Sequence, residues 1–189
     1  MEDKSTIADS RANKAFVNAS QAFNSVGIPL IVTGRKGSGR LQMAYTLAEL
    51  WTRASKKQKP RKRRISVKVV SSVSRKDVLE ELAQAAEKRG EDWMAVLQLT
   101  NSPDEWARTA KIAQRTDTDL YILDDIESIE QADAAIDLIK NGYKVILVTT
   151  GSAGTVKGDS MADMILRMLA GRFPAASVPV LDATRKSEA

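Results

Sequence analysis

The residues Gly34-Arg35-Lys36-Gly37-Ser38-Gly39-Arg40-Leu41 follow the apolar run Leu30-Ile31-Val32-Thr33 and precede a helix-like run. Gly34 and Gly39 have the spacing of the phosphate-binding pattern G-x-x-x-x-G-K-[ST]. In that pattern loop N–H groups cradle phosphate, the lysine reaches the β/γ-phosphates and the hydroxyl ligates magnesium. Arg40 stands at the lysine position and Leu41 at the hydroxyl position. The cradle itself needs glycine at Gly34, Gly37 and Gly39 and a helix N-terminus, not an amine. The stretch that would hold a nucleotide is therefore Gly34, Lys36, Gly37, Ser38, Gly39, Arg40 and Leu41. Arg40 can grip phosphate through its fork, with directional contacts unlike those of a lysine point charge. Lys36 could substitute from inside the loop, whereas Leu41 cannot ligate magnesium. A glycine-rich strand–helix turn without a ligand is the alternative.

The second chemical feature is Asp124-Asp125, which closes the apolar run Leu120-Tyr121-Ile122-Leu123. In an ATPase arrangement Asp124 would orient the metal and its water, and Asp125 would polarise the attacking water. Alternatively the pair caps the next helix, whose start also carries Glu127 and Glu130. Thr149 and Thr150 could bond a γ-phosphate, or simply satisfy local backbone. Arg167 and Arg172 could act across a subunit boundary as arginine fingers, or lie on an ordinary surface.

The rest of the composition narrows the chemistry. The 189 residues fit one domain with a real core. Cysteine and histidine are both absent, which excludes disulfides, cysteine-ligated zinc and imidazole catalysis. No apolar run reaches the roughly 18 residues that suggest a membrane span. Met1 to Thr6 lacks an apolar core and does not read as a signal peptide, so the expected location is cytoplasmic. The net charge is +5, and the basic residues Lys56, Lys57, Lys59, Arg61, Lys62, Arg63 and Arg64 crowd one short stretch. Such a run could hold nucleic acid or an acidic lipid surface, or be a solvated connection. No aromatic residue interleaves with it, which removes stacking on single strands.

The elements that must position these groups alternate. Met1 to Lys14 is polar and reads as loose, and Ala15 to Phe23 as a short helix. Leu30 to Thr33 is a buried strand, and Leu41, Ala44, Tyr45, Leu47, Ala48 and Trp51 share a helical face. Ile65 to Val70 alternates as a strand, and Ser74 opens a helix that Gly90 stops. Trp93 to Leu99 is open between strand and helix. A helix starts at Asn101-Ser102-Pro103 and runs to about Arg115. Leu120 to Leu123 is a strand, Ile129 to Ile139 a helix, Val145 to Val148 a strand, and Ser160 opens a last helix containing Met161, Met164 and Met168, a stripe most simply read as core. The organisation expected is an N-terminal extension over 1–26, one domain over 27–175 and a tail over 176–189. Alternating strands and helices predict a mainly parallel sheet with helices on both faces. The loop, the acidic pair and the threonines all fall at strand carboxyl ends, where such sheets bind ligands.

From Ala113 onward the order of residues resembles the ATPase core of the type II and type IV secretion ATPases, including the type IV pilus retraction motors. Thr118-Asp119-Leu120-Tyr121-Ile122-Leu123-Asp124-Asp125-Ile126-Glu127-Ser128-Ile129-Glu130 is similar to that family's D-P-D-x-I-x-x-G-E-x-R-D-x-E segment, with Asp125 on the catalytic glutamate position. Asn141-Gly142-Tyr143-Lys144-Val145 resembles its T-G-H-x-V turn. Leu147 to Ala153 stands where the family has T-L-H-T-x-S-A, and Ile165 to Pro174 resembles its R-I-x-x-x-F-P end. Asp124 replaces the family glycine, and Tyr143 and Thr150 stand at its histidines. The resemblance implies a P-loop NTPase (RecA/AAA-like) three-layer α/β sandwich, ATP or ADP as the nucleotide with magnesium, and a place in a secretion, pilus or conjugation apparatus as part of an oligomer. The lost lysine and hydroxyl point to a weak ATPase or a pseudo-ATPase. Leu123-Asp124-Asp125-Ile126 also resembles the acidic strand of AAA+ replication initiators and helicase loaders, where two acids are normal; a factor of that class would engage nucleic acid through residues 56–64. A non-enzymatic adaptor built on the same fold is the third reading.

Overall fold

In the computed structural model the described residues are 4–25, 27–58, 65–71, 84, 93–99, 118–151, 159–174 and 177–183. They form α1 (Lys4–Asn24), β1 (Leu30–Thr33), α2 (Arg40–Gln58), β2 (Ile65–Ser71), β3 (Trp93–Leu99), β4 (Leu120–Ile126), α3 (Ile129–Lys140), β5 (Lys144–Thr149), α4 (Met161–Leu169) and β6 (Val180–Asp182). The strands make one sheet in the order β3-β2-β4-β5-β1-β6, with every neighbouring pair parallel.

Why the central strands read as unbroken apolar runs is plain from burial. Every residue of β1, β4 and β5 is buried, because a parallel sheet covered on both faces leaves no polar side. Successive side chains still separate by face. Leu30, Val32, Leu120, Ile122, Ile146 and Val148 pack with α1 and α2 residues such as Phe23, Ala44 and Leu47. Ile31, Tyr121, Leu123, Val145 and Leu147 pack instead with Ala135, Leu138, Ile165 and Leu169 of α3 and α4. Two cores on opposite faces of one sheet give the expected three-layer sandwich.

Three elements differ from, or sharpen, the sequence expectation. The polar N-terminus is helical from Lys4 rather than loose, and the far end of α1 is held by buried Ala19 and Phe23. Low apolar content hid this helix. Trp93 to Leu99 is a strand, paired along its whole length with β2. The stretch expected to be a plain tail supplies β6, which pairs with β1 from Ile31↔Val180 to Thr33↔Asp182; three residues are too few to show a period. Apart from Gln84, which is helical, the helices expected over residues 74–90 and 101–115 lie outside the described residues. Among the described residues no helix is long and apolar enough to cross a membrane.

Both short helices begin on a reciprocal cap. Ser128 accepts from the Gln131 N–H while Gln131 Oε1 accepts from the Ser128 N–H. Ser160 and Asp163 do the same for α4. At the amino edge of the sheet Lys144 is buried, donating to the carbonyls of Ser25 (2.7 Å) and Ile28 (2.9 Å) and lying 4.1 Å from the centre of the Phe23 ring. It ties the end of α1 to β5.

Candidate functional site

The turn after β1 bends through three glycines with positive φ: Gly34 (151°), Gly37 (86°) and Gly39 (79°). L-residues with a Cβ rarely adopt such angles. A Cβ at Gly37 would meet nothing within 4 Å, so the crest of the turn is open for another molecule to approach. Within the turn the Ser38 N–H donates to the Arg35 carbonyl at 3.1 Å, and the Met43 N–H to Gly39 at 2.9 Å, which starts α2. Arg35, Lys36, Gly37 and Gly39 are exposed and Gly34 is buried.

Arg40 and Leu41 do not share that exposure. Leu41 is 2 % exposed and belongs to the α1/α2-side core. Arg40 opens α2, yet its side chain is only 1 % exposed, and Nη2 donates to Asp125 Oδ1 at 3.2 Å. A cation at a helix N-terminus opposes the positive end of the helix dipole. A carboxylate beside it offsets both charges. The arginine at the lysine position is therefore engaged by Asp125.

β4 is shaped for this contact. Its register with β5 runs from Leu120↔Lys144 to Leu123↔Leu147, then shifts before resuming at Ile126↔Thr149. Asp124 and Asp125 occupy the irregularity. Asp125 has φ 54°, the one positive value on a non-glycine among the described residues. Aspartate tolerates this region better than most side chains, although at some cost. A bulge of this kind re-aims a side chain at a strand end, and here the re-aimed group is the carboxylate that meets Arg40. Asp124 is fully buried and Asp125 nearly so.

The neighbouring strand ends are tied in. Thr149 Oγ1 donates to the Ile126 carbonyl at 2.8 Å, so its hydroxyl satisfies the backbone just past the bulge. Thr33 Oγ1 donates to the Gly151 carbonyl at 3.0 Å, fastening the start of the glycine turn to the end of β5. Gly151 approaches Ser160 so closely that a Cβ would lie 3.3 Å from the Ser160 Cβ, which brings the start of α4 to the same edge. Thr150 is half-buried beside it. The structure thus brings the glycine turn, Arg40, Asp124, Asp125 and the β5 end to one edge.

Other residues singled out from the sequence lie elsewhere. Arg167 and Arg172 are exposed on and after α4, and Arg172 Nη1 donates to the Lys140 carbonyl at 3.2 Å. Met161 and Met168 pack against the α3/α4-side core. Lys56 and Lys57 fall in the last turn of α2, and Lys59, Arg61, Lys62, Arg63 and Arg64 lie outside the described residues. Sequence reasoning missed the Arg40–Asp125 pairing, whose partners are 85 residues apart. The signal was present: an arginine and an acid at strand ends of one sheet edge, both flanked by apolar runs.

No family model matches the chain, and no curated protein matches it. Among solved structures it is similar to the Legionella pneumophila ATPase DotB, at 18% identity and a TM-score of 0.50, over 82% of this chain and 37% of DotB. It is also similar to the pilus retraction motor PilT with bound ADP, at 9% identity and a TM-score of 0.50, over 82% of this chain and 42% of PilT. The chain spans less than half the length of either ATPase. At these identities the likeness shows the fold alone: a parallel α/β sandwich of the kind these two ATPases carry.

Proposed function

We propose that this chain is a nucleotide-binding component of a secretion, pilus or conjugation apparatus, binding ATP or ADP at Gly34–Arg40 and turning it over slowly or not at all. The observation that carries the reading is the three-glycine turn joining buried β1 to the 19-residue helix α2, with Asp124 and Asp125 at the same sheet edge. Loop N–H groups and the α2 N-terminus form the anion cradle. Lys36, exposed on the turn, adds charge at its rim. Asp125, and Asp124 next to it, are the groups available to orient water. Slow turnover follows because Leu41 offers no metal ligand and Arg40 is held by Asp125, two losses of transition-state stabilisation worth several kcal/mol each. On this reading the protein works in the cytoplasm, peripheral to the inner membrane, in an oligomer with other parts of the machinery. Residues 56–64 supply a basic contact for nucleic acid or acidic lipid.

The Arg40–Asp125 pair also favours a second reading, an adaptor that keeps the nucleotide fold as an interaction surface and closes the old site with its own ion pair. Calorimetric titration with ADP and with a non-hydrolysable ATP analogue separates the two. A nucleotide-binding protein gives a saturable isotherm that weakens in Gly37→Val, where a β-branched side chain at φ 86° fills the open crest. A flat trace for both nucleotides leaves the adaptor.

A further inference from the structure

We infer, resting on the nucleotide-binding reading, that this site takes its nucleoside polyphosphate as the free anion without magnesium, the Arg40 guanidinium supplying the neutralisation a divalent cation supplies elsewhere. The residues present do not fit a resident magnesium ion. The position that offers a hydroxyl in the phosphate-binding pattern is Leu41, sunk in the apolar core at 2 % exposure. Of the two acids, Asp125 is engaged by a guanidinium rather than left to face a cation. Among the described residues no group of three or more Asp or Glu side chains is placed to hold a metal ion.

The same atoms suit a bare phosphate. Arg40 uses Nη2 on Asp125, while its other arm, Nη1, is buried with no hydrogen-bond partner among the described residues. Ser38 Oγ, two residues earlier in the glycine turn, is likewise buried and unpartnered. Buried donors left unmade are costly, and natural structures rarely keep them without a use. Phosphate oxygens arriving at the turn would satisfy both, because a guanidinium fork matches phosphate geometry in a bidentate manner. The phosphate would compete with the Asp125 carboxylate for one guanidinium. Magnesium bound to the nucleotide lowers its negative charge and so weakens its attraction to the guanidinium. It therefore opposes binding here.

The experiment is calorimetric titration of the whole chain with ADP and with a non-hydrolysable ATP analogue, in EDTA and again in excess magnesium. Tighter binding in EDTA than in magnesium is the expected result, and Arg40→Gln should weaken the EDTA titration by about tenfold or more. Affinity equal in the two conditions, or tighter with magnesium, overturns the inference while leaving nucleotide binding intact. Unchanged affinity in a folded Arg40→Gln overturns it too; if that variant does not fold, the two wild-type titrations decide. Absence of binding in both conditions removes the nucleotide-binding reading itself, and the inference with it.

Discussion

Breaking the Arg40–Asp125 pair from either side should destabilise the protein strongly, and breaking it from both sides should cost about 2–3 kcal/mol less than the sum. The two side chains are 1 % and 3 % exposed, with Nη2 and Oδ1 3.2 Å apart, so the solvent screening that weakens surface pairs is absent. Unit charges about 4 Å apart attract by about 4 kcal/mol at an effective dielectric near 20. That attraction is opposed by the desolvation of both groups, so the intact pair adds little net stability. A single truncation removes the attraction and keeps one desolvation penalty, a loss of about 3–5 kcal/mol.

The cycle to make is Arg40→Met, Asp125→Asn and the double variant. Asparagine tolerates positive φ as aspartate does, so that change reports the charge and not the 54° backbone. Each single variant should lower the melting temperature by about 6–20 °C, from about 2–4 °C per kcal/mol in a chain of this size. The double variant should recover about 2–3 kcal/mol relative to additivity. Urea and thermal unfolding of the four proteins without nucleotide provide the measurement. Singles costing under about 1 kcal/mol each, and adding without coupling, would mean a hydrated pair and refute the reasoning.

Burial pushes the Lys144 ammonium down from 10.5 to about 8. Between those values the unfolded chain holds a proton the folded chain does not, so unfolding free energy should rise with pH by at most about 1.4 kcal/mol per unit. Burial pushes the Tyr45 phenol up to about 12 from 10.0, which pulls the opposite way at higher pH; between pH 8 and 10, where burial also lowers Lys68, Lys144→Met should reduce the rise and a parallel profile would contradict the assignment. Leu41→Ala should cost about 2–5 kcal/mol in urea unfolding, because the side chain is core and not a ligand. Ser160→Ala removes the acceptor for the Asp163 N–H and should cost about 0.5–2 kcal/mol.

What could be read from the chain followed the strength of local physics. β1, β4 and β5 are continuous apolar runs because both faces are covered, and that pattern survives without any partner in view. Ser160 and Asp163 mark the α4 start by a short-range reciprocal cap, and the glycine spacing marks the turn. What could not be read depends on distant partners. β6 exists because Thr33 and its neighbours offer an edge to pair with, and Lys144 is buried because the turn after α1 presents the Ser25 and Ile28 carbonyls there. The bulge at Asp124-Asp125 leaves no trace in composition; a doubled acid at a strand end fits a helix cap equally well. Only the angle at Asp125 and the guanidinium facing it separate those meanings.

One electrostatic requirement would govern this edge both with and without a nucleotide. Arg40 places a cation on the first residue of α2, where the helix dipole is also positive, so the edge needs an anion at all times. Without ligand Asp125 is that anion, and the φ it adopts shows the backbone bent to deliver it. A phosphate would be a second candidate for the same guanidinium, and the two must compete. By linkage, whatever weakens the internal anion strengthens the external one. Asp125→Asn should therefore do two opposite things: lower the melting temperature of the free protein, and enlarge the upward shift given by saturating ADP in EDTA, since stabilisation grows with the ratio of ligand to Kd. A smaller ADP shift in Asp125→Asn than in the wild type would mean that Asp125 helps to hold the nucleotide rather than guarding its place.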